Sequence, residues 1–131
     1  MSTLTLIWQG NLKFASGPDG PPIELDSSTP NVVSPTQALA YAVMGCMAMD
    51  VVHGLEKGRH DLQALSATFE GTRAQEHPRR YTSIHLHFDV KGDVPESAVT
   101  RAIELSRKTY CSVLNSLRQD IDFTTTFKIH E

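Results

Sequence analysis

The sequence predicts an α+β domain, with antiparallel sheets around a long buried central helix. Three observations lead there. Short runs of alternating apolar residues occur near both ends and in the middle of the chain. A single stretch, residues 35–57, is apolar on nearly every helical face. The order is strands, helix, strands, helix, strand, which differs from the regular strand–helix alternation of a parallel sheet. At 131 residues, with no repeat, low-complexity tract or linker, the chain reads as one domain spanning 1–131.

Leu4, Leu6 and Trp8 open a strand, and Leu12 and Phe14 resume it after a hairpin turn at Gly10-Asn11. Turn residues fill 16–22, Ile23-Glu24-Leu25 is a short strand, and 26–33 is a loop. Ser34 is placed to cap the helix that follows, with Pro35 in its first position and Gly58 as its stop. Within it the small residues Ala38, Ala40, Ala42, Gly45 and Ala48 would let other backbones come close. Leu65, Ala67 and Phe69 share one face of a strand, and Ile84, Leu86, Phe88 and Val90 share one face of the next. A polar connection, Arg73 to Arg80, joins them. Residues 95–108 read as an amphipathic helix, a second helical stretch carries Cys111, Val113, Leu114 and Leu117, and Ile121 to Ile129 alternate as a last strand. Trp8 and Phe14 make the first hairpin sticky, so it is expected to be exchanged with, or packed on, a partner subunit.

Composition excludes several classes. The formal net charge is −3, which gives no basic footprint for nucleic acid. Residues 1–58 contain only Lys13 and Lys57 as bases, and ten of the twelve lie beyond. No run approaches eighteen consecutive apolar residues, so no membrane span is expected. The start, Met-Ser-Thr-Leu-Thr, lacks the charged and apolar pattern of a secretory leader, so a cytoplasmic location is expected. Two cysteines, Cys46 and Cys111, cannot form a disulfide scaffold. In a reducing compartment they are either buried small hydrophobes or a redox pair.

His85 and His87 project from one strand face as two metal ligands might, but alternation explains them as outward polar residues and no further ligand stands nearby in sequence. No metal or cofactor is therefore expected. His53 lies three residues beyond Asp50 and could pair with it. Met44, Met47 and Met49 would suit an apolar cleft, although such residues are more often core.

The segment Ser34-Pro35-Thr36-Gln37-Ala38-Leu39 running to Gly45-Cys46-Met47-Ala48-Met49-Asp50-Val51-Val52 resembles the central helix of the OsmC/Ohr superfamily. Arg101 to Ser106 followed by Tyr110-Cys111-Ser112-Val113 is similar to that family's second-cysteine motif. The Gly-Cys-x-x-x-Asp-Val-Val pattern and Glu76-His77-Pro78 resemble an OsmC-like branch distinct from the hydroperoxide reductases. The resemblance covers nearly the whole chain. It implies an OsmC-like fold, an intertwined homodimer, and a thiol peroxidase that reduces organic hydroperoxides in oxidative-stress defence.

Carried over, Cys46 would be the peroxidatic thiol and Cys111 the resolving one, with a dithiol such as a lipoylated protein as reductant. The family's hydroperoxide reductases stabilise the thiolate with an N-terminal arginine clamped by a glutamate. Here no arginine precedes Arg59, and the glutamate's place falls at Thr36 or Gln37. A replacement cation is expected from Arg73, Arg79, Arg80 or Arg107, with Arg73 first. Asp50, four residues after Cys46, is expected to raise that thiol's pKa. The competing expectation is a non-catalytic protein on the same scaffold, binding a small hydrophobic ligand at the dimer interface.

Overall fold

The structure, a computed structural model, describes residues 3–131; Met1 and Ser2, part of the stretch read for a leader, lie outside the described residues. The chain divides into two compact units, Met1–Tyr41 and Ala42–Glu131. The boundary falls inside the long helix α1 (Pro35–Lys57).

The first unit holds an antiparallel meander, β1 (Leu6–Trp8), β2 (Lys13–Ser16) and β3 (Glu24–Asp26). Its hairpin turns where expected, because Gly10 (φ 104°) and Asn11 (φ 48°) both take the left-handed backbone. The Trp8 indole N–H donates to the Asn11 carbonyl at 2.8 Å. Trp8 in β1 and Leu12 in the turn are largely exposed, so this sheet has no buried apolar face of its own. α1 begins with a reciprocal capping box. The Ser34 Oγ accepts the Gln37 amide at 3.3 Å, and the Gln37 Oε1 accepts the Ser34 amide at 3.0 Å.

The second unit packs α1, from Ala42 onward, with a sheet of order β4–β5–β6. β4 spans Asp61–Arg73, β5 Tyr81–Asp93 and β6 Asp122–His130. β4 and β5 are antiparallel, but β5 and β6 are parallel, so the expectation of wholly antiparallel sheets gives way to a mixed one. The chain leaves β5 and crosses over through α2 (Glu96–Leu105), a π-helical turn (Ser106–Tyr110) and α3 (Ser112–Asn115) before entering β6. A crossover this long permits a parallel neighbour, which a tight hairpin does not.

The core is a seam between one helical stripe and one sheet face. Val43, Met47, Val51 and Leu55, each one turn after the last, meet Ile84, Leu86, Phe88 and Val90 of β5; Val99, Ala102 and Ile103 of α2 and Phe123 of β6 complete the cluster. The opposite side of α1 is open, with Met49 73% exposed. The helix is therefore buried along a stripe within one chain, not all round as its composition suggested. By length and composition α1 could cross a bilayer, so counting consecutive apolar residues did not exclude it. Its packed stripe gives it a different place, in the core of the domain.

One backbone detail departs from the sequence reading, and a second glycine is fixed by its neighbours. The left-handed residue ending α1 is Arg59 (φ 59°), with the His60 amide reaching back to the Leu55 carbonyl at 3.1 Å, while Gly58 stays one step earlier. Gly92 lies inside β5 at φ 139°, and a Cβ there would fall 2.0 Å from the Asp61 carbonyl oxygen of β4. Backbone conformation and space both demand glycine. Gly92→Ala is expected to lower unfolding stability by about 2 kcal/mol or more, read from the urea midpoint.

Candidate functional site

The second unit brings Cys46, Asp50, Ser106 and Cys111 together. Cys46 and Asp50 sit one turn apart on α1, and both are partly exposed. Ser106 ends α2 and starts the π-helical turn, with no exposed surface. Its Oγ–H donates to Asp50 Oδ2 at 2.7 Å. Its carbonyl accepts the Cys111 amide at 2.7 Å, the i to i+5 bond that defines the widened turn. The predicted helix over 95–108 thus loses its α geometry at Ser106.

Cys111 is the N-cap of α3. Its Sγ accepts the Leu114 amide at 3.3 Å, a role oxygen side chains usually fill. Asn115 holds the same turn, its Nδ2 donating to the Cys111 carbonyl at 2.8 Å and the Arg107 carbonyl at 3.2 Å. Cys111 has no exposed surface, whereas Cys46 is partly open. Both are free thiols, and Cys46 lies near enough to act on the ionisation of Cys111. The two cysteines, 65 positions apart in sequence, are therefore neighbours.

Their surroundings make them unequal. Burial first, then the Cys46 thiol and the Asp50 charge, push the Cys111 thiol up to about 11 against the opposing pull of the Leu114 amide. The Asp50 charge, expected from sequence to bear on Cys46, is felt by Cys111. Asp50 takes Ser106 as its hydrogen-bond partner, not His53, which is exposed. Ser106 closes the first half of the second-cysteine motif, but nothing in the sequence gave it a role. A buried serine looks like any other small helical residue until the turn around it is seen.

The remaining candidates stand elsewhere. Arg73 is exposed at the end of β4, its Nε donating to the Arg79 carbonyl at 2.8 Å within the same connection. Arg80 donates to the Tyr81 carbonyl and lies 3.8 Å from Asp120. The Arg107 guanidinium lies over the Phe123 ring, 5.2 Å from its centroid. Gln37 is engaged in the capping box of α1. The methionines do not form one cleft: Met47 is core, Met44 packs at its edge, and Met49 is exposed.

His85 and His87 bind hydroxyls of β6. His85 Nδ1 is 2.7 Å from Thr124 Oγ1, His85 Nε2 is 3.0 Å from Thr126 Oγ1, and His87 Nδ1 is 2.7 Å from Thr126 Oγ1. Beside them, His130 Nε2 lies 2.9 Å from Asp89, and that hydrogen bond holds the Asp89 carboxyl below its usual range. Among the described residues no three His, Cys, Asp or Glu side chains are arranged to hold a metal ion.

Comparison with known proteins identifies the family and the fold. The profile of the OsmC-like proteins matches residues 28–126. The chain belongs to the OsmC-like family. It is 39% identical over 97 residues to protein YhfA of Escherichia coli strain K12, covering 73% of this chain and 72% of YhfA. In fold it is similar to a hypothetical protein from Aquifex aeolicus VF5, with a TM-score of 0.91 and 24% identity over 99% of this chain and 96% of that one. It is also similar to an organic hydroperoxide resistance protein OsmC from Legionella pneumophila, with a TM-score of 0.74 and 15% identity over 98% of each chain. OsmC-like membership and the α+β OsmC fold, both expected from the two cysteine motifs, are thereby shown.

The raised Cys111 pKa has a consequence for stability. In the unfolded chain a thiol ionises near pH 8.5, so between there and about pH 11 the folded state binds more protons. Stability contributed by the protonated thiol is complete below that interval and is lost as pH rises through it. The urea midpoint should fall with pH across this window, by up to roughly 1.4 kcal/mol per pH unit. Cys111→Ser should remove that slope.

Proposed function

We propose that this OsmC-like protein is a cysteine-based peroxidase acting on organic hydroperoxides. The observation that carries the reading is a partly open Cys46 near a buried Cys111 whose ionisation it influences. Cys46 is the thiol a hydroperoxide can reach. Its thiolate attacks the O–O bond, leaving Cys46 as a sulfenic acid and releasing an alcohol. Cys111 then displaces water from that sulfur to close a disulfide. An external dithiol, such as a lipoylated protein, reopens it. A reducing cytoplasm suits this cycle because it keeps both thiols free between turnovers. The similar fold of the organic hydroperoxide resistance protein OsmC from Legionella pneumophila supports the hydroperoxide as substrate class.

A homodimer completes the reading. The open side of α1 and the start of β4 line a groove of about 710 Å3, with Ala48, Met49, Val52, Leu62 and Leu65 as its apolar surface. Gly45 has nothing within 4 Å of where a Cβ would stand, so a second backbone fits against it. The exposed hairpin around Trp8 is a natural element to exchange between subunits. Arg73 then serves as the cation offered across the interface to a second copy's thiol. The same groove favours a second reading, a non-catalytic protein holding a small hydrophobic ligand there.

An intact-mass spectrum after one equivalent of cumene hydroperoxide separates the two. The peroxidase loses about two mass units as both thiols are consumed, whereas the binding protein keeps its mass and both titratable thiols. Cys46→Ser should abolish peroxide consumption, and Cys111→Ser should leave a sulfenic acid that dimedone traps. Arg73→Ala should slow the first step by about tenfold or more if it stabilises the thiolate; an unchanged rate would confine Arg73 to its hairpin.

A further inference from the structure

The peroxidase reading explains the two sulfurs and leaves Asp50 and Ser106 unexplained. A carboxylate beside a thiol nucleophile is unfavourable electrostatics, since it opposes the thiolate. Ser106, with no exposed surface, spends its hydroxyl on that carboxylate at 2.7 Å. The same serine fixes Cys111 through its carbonyl. A residue that grips both the carboxylate and the second thiol sets their relative position.

We propose that Asp50 is the general base of the resolving step and that Ser106 is its positioning residue. This rests on the two-cysteine reading and deepens it. The Cys111 S–H bond breaks and its proton passes to the Asp50 carboxylate. The freed electron pair forms the bond to the Cys46 sulfur, and the S–O bond of the sulfenic acid breaks. The departing hydroxide takes the proton from Asp50 and leaves as water. Cys111 is oxidised from thiol to disulfide, and Cys46 is reduced from sulfenic acid to disulfide. The sum is sulfenic acid plus thiol giving disulfide plus water.

The need for a base follows from burial. A thiol held near 11 is ionised to only about one part in ten thousand at pH 7, so unassisted attack is slow. The titratable groups acting on it are Cys46 and Asp50 from α1. From its own element, Arg107 is turned onto Phe123 and Tyr110 is exposed. Asp50 is therefore the available acceptor. It lies one turn from the sulfur being attacked, so the proton stays beside the leaving group.

The test isolates this step from peroxide chemistry. Reduced protein is treated with 5,5′-dithiobis(2-nitrobenzoate), whose first equivalent of aromatic thiolate reports capture of Cys46. The second reports Cys111 displacing the aromatic thiolate to close the disulfide. In Asp50→Asn, which keeps an oxygen for the Ser106 hydroxyl, the second release should slow by about tenfold or more at pH 7. Its rate should then climb with pH through the thiol range, while the wild type stays flatter. Ser106→Ala should slow it in the same direction by less, and it carries the test alone if Asp50→Asn fails to fold.

Equal or faster second release in Asp50→Asn would overturn the assignment of Asp50 and leave the cysteine pair standing. A wild-type protein that keeps the aromatic group on Cys46 with no second release would overturn the pair and this proposal together. Normal second release in a protein that ignores hydroperoxides would overturn the peroxidase reading, while a slow Asp50→Asn would still uphold Asp50.

Discussion

Ser106 makes two short hydrogen bonds, one to the Asp50 carboxylate of α1 and one to the backbone of Cys111. Because it is buried, water cannot replace either partner cheaply, and a broken bond would leave a polar group unsatisfied. The π-helical turn begins at the same serine. Keeping the α geometry past Leu105 would offer the Ser106 carbonyl to Tyr110, and one extra residue in the turn offers it to Cys111 instead. The position of the second sulfur thus depends on one serine and the turn it opens.

The rest of the second unit supplies a rigid frame for that contact. β5 is the middle strand, with β4 and β6 on either side and a fully buried row of Ile84, Leu86, Phe88 and Val90 on one face. The stripe of α1 packed on this row fixes the rotation of the helix. Cys46 and Asp50 immediately precede Met47 and Val51 of the stripe, so they fall at its margin, next to the crossover and still within reach of solvent. Cys46 is thus partly open, and Cys111, the N-cap of α3, is buried. The opposite sheet face is occupied by hydrogen-bonded His85, His87, Thr124 and Thr126, which separates it from the thiol chemistry.

Much of this was legible in local pattern. The Gly10-Asn11 turn, the Ser34 cap, the inward row of β5 and the place of α1 all follow from periodicities and backbone preferences that act over a few residues. The two cysteine motifs were sufficient to indicate the OsmC family, which the profile over 28–126 then showed. Where local pattern misled, a non-local feature was responsible. Residues 95–108 keep a helical period, but the helix widens into a π turn at Ser106, whose hydroxyl bonds a residue 56 positions away. The apolar circumference of α1 suggested burial all round, but the sheet covers only one stripe of it.

By itself, then, the sequence determined the element order, the core-facing residues and the candidate cysteines, because hydrophobic spacing and capping chemistry are written along neighbouring positions. Only the tertiary structure decided that β6 lies parallel to β5, that Asp50 bonds Ser106 and not His53, and that Cys46 comes near enough to act on Cys111. Those outcomes depend on where a long crossover brings the chain back. That return is set by packing between distant segments, which no local spacing encodes.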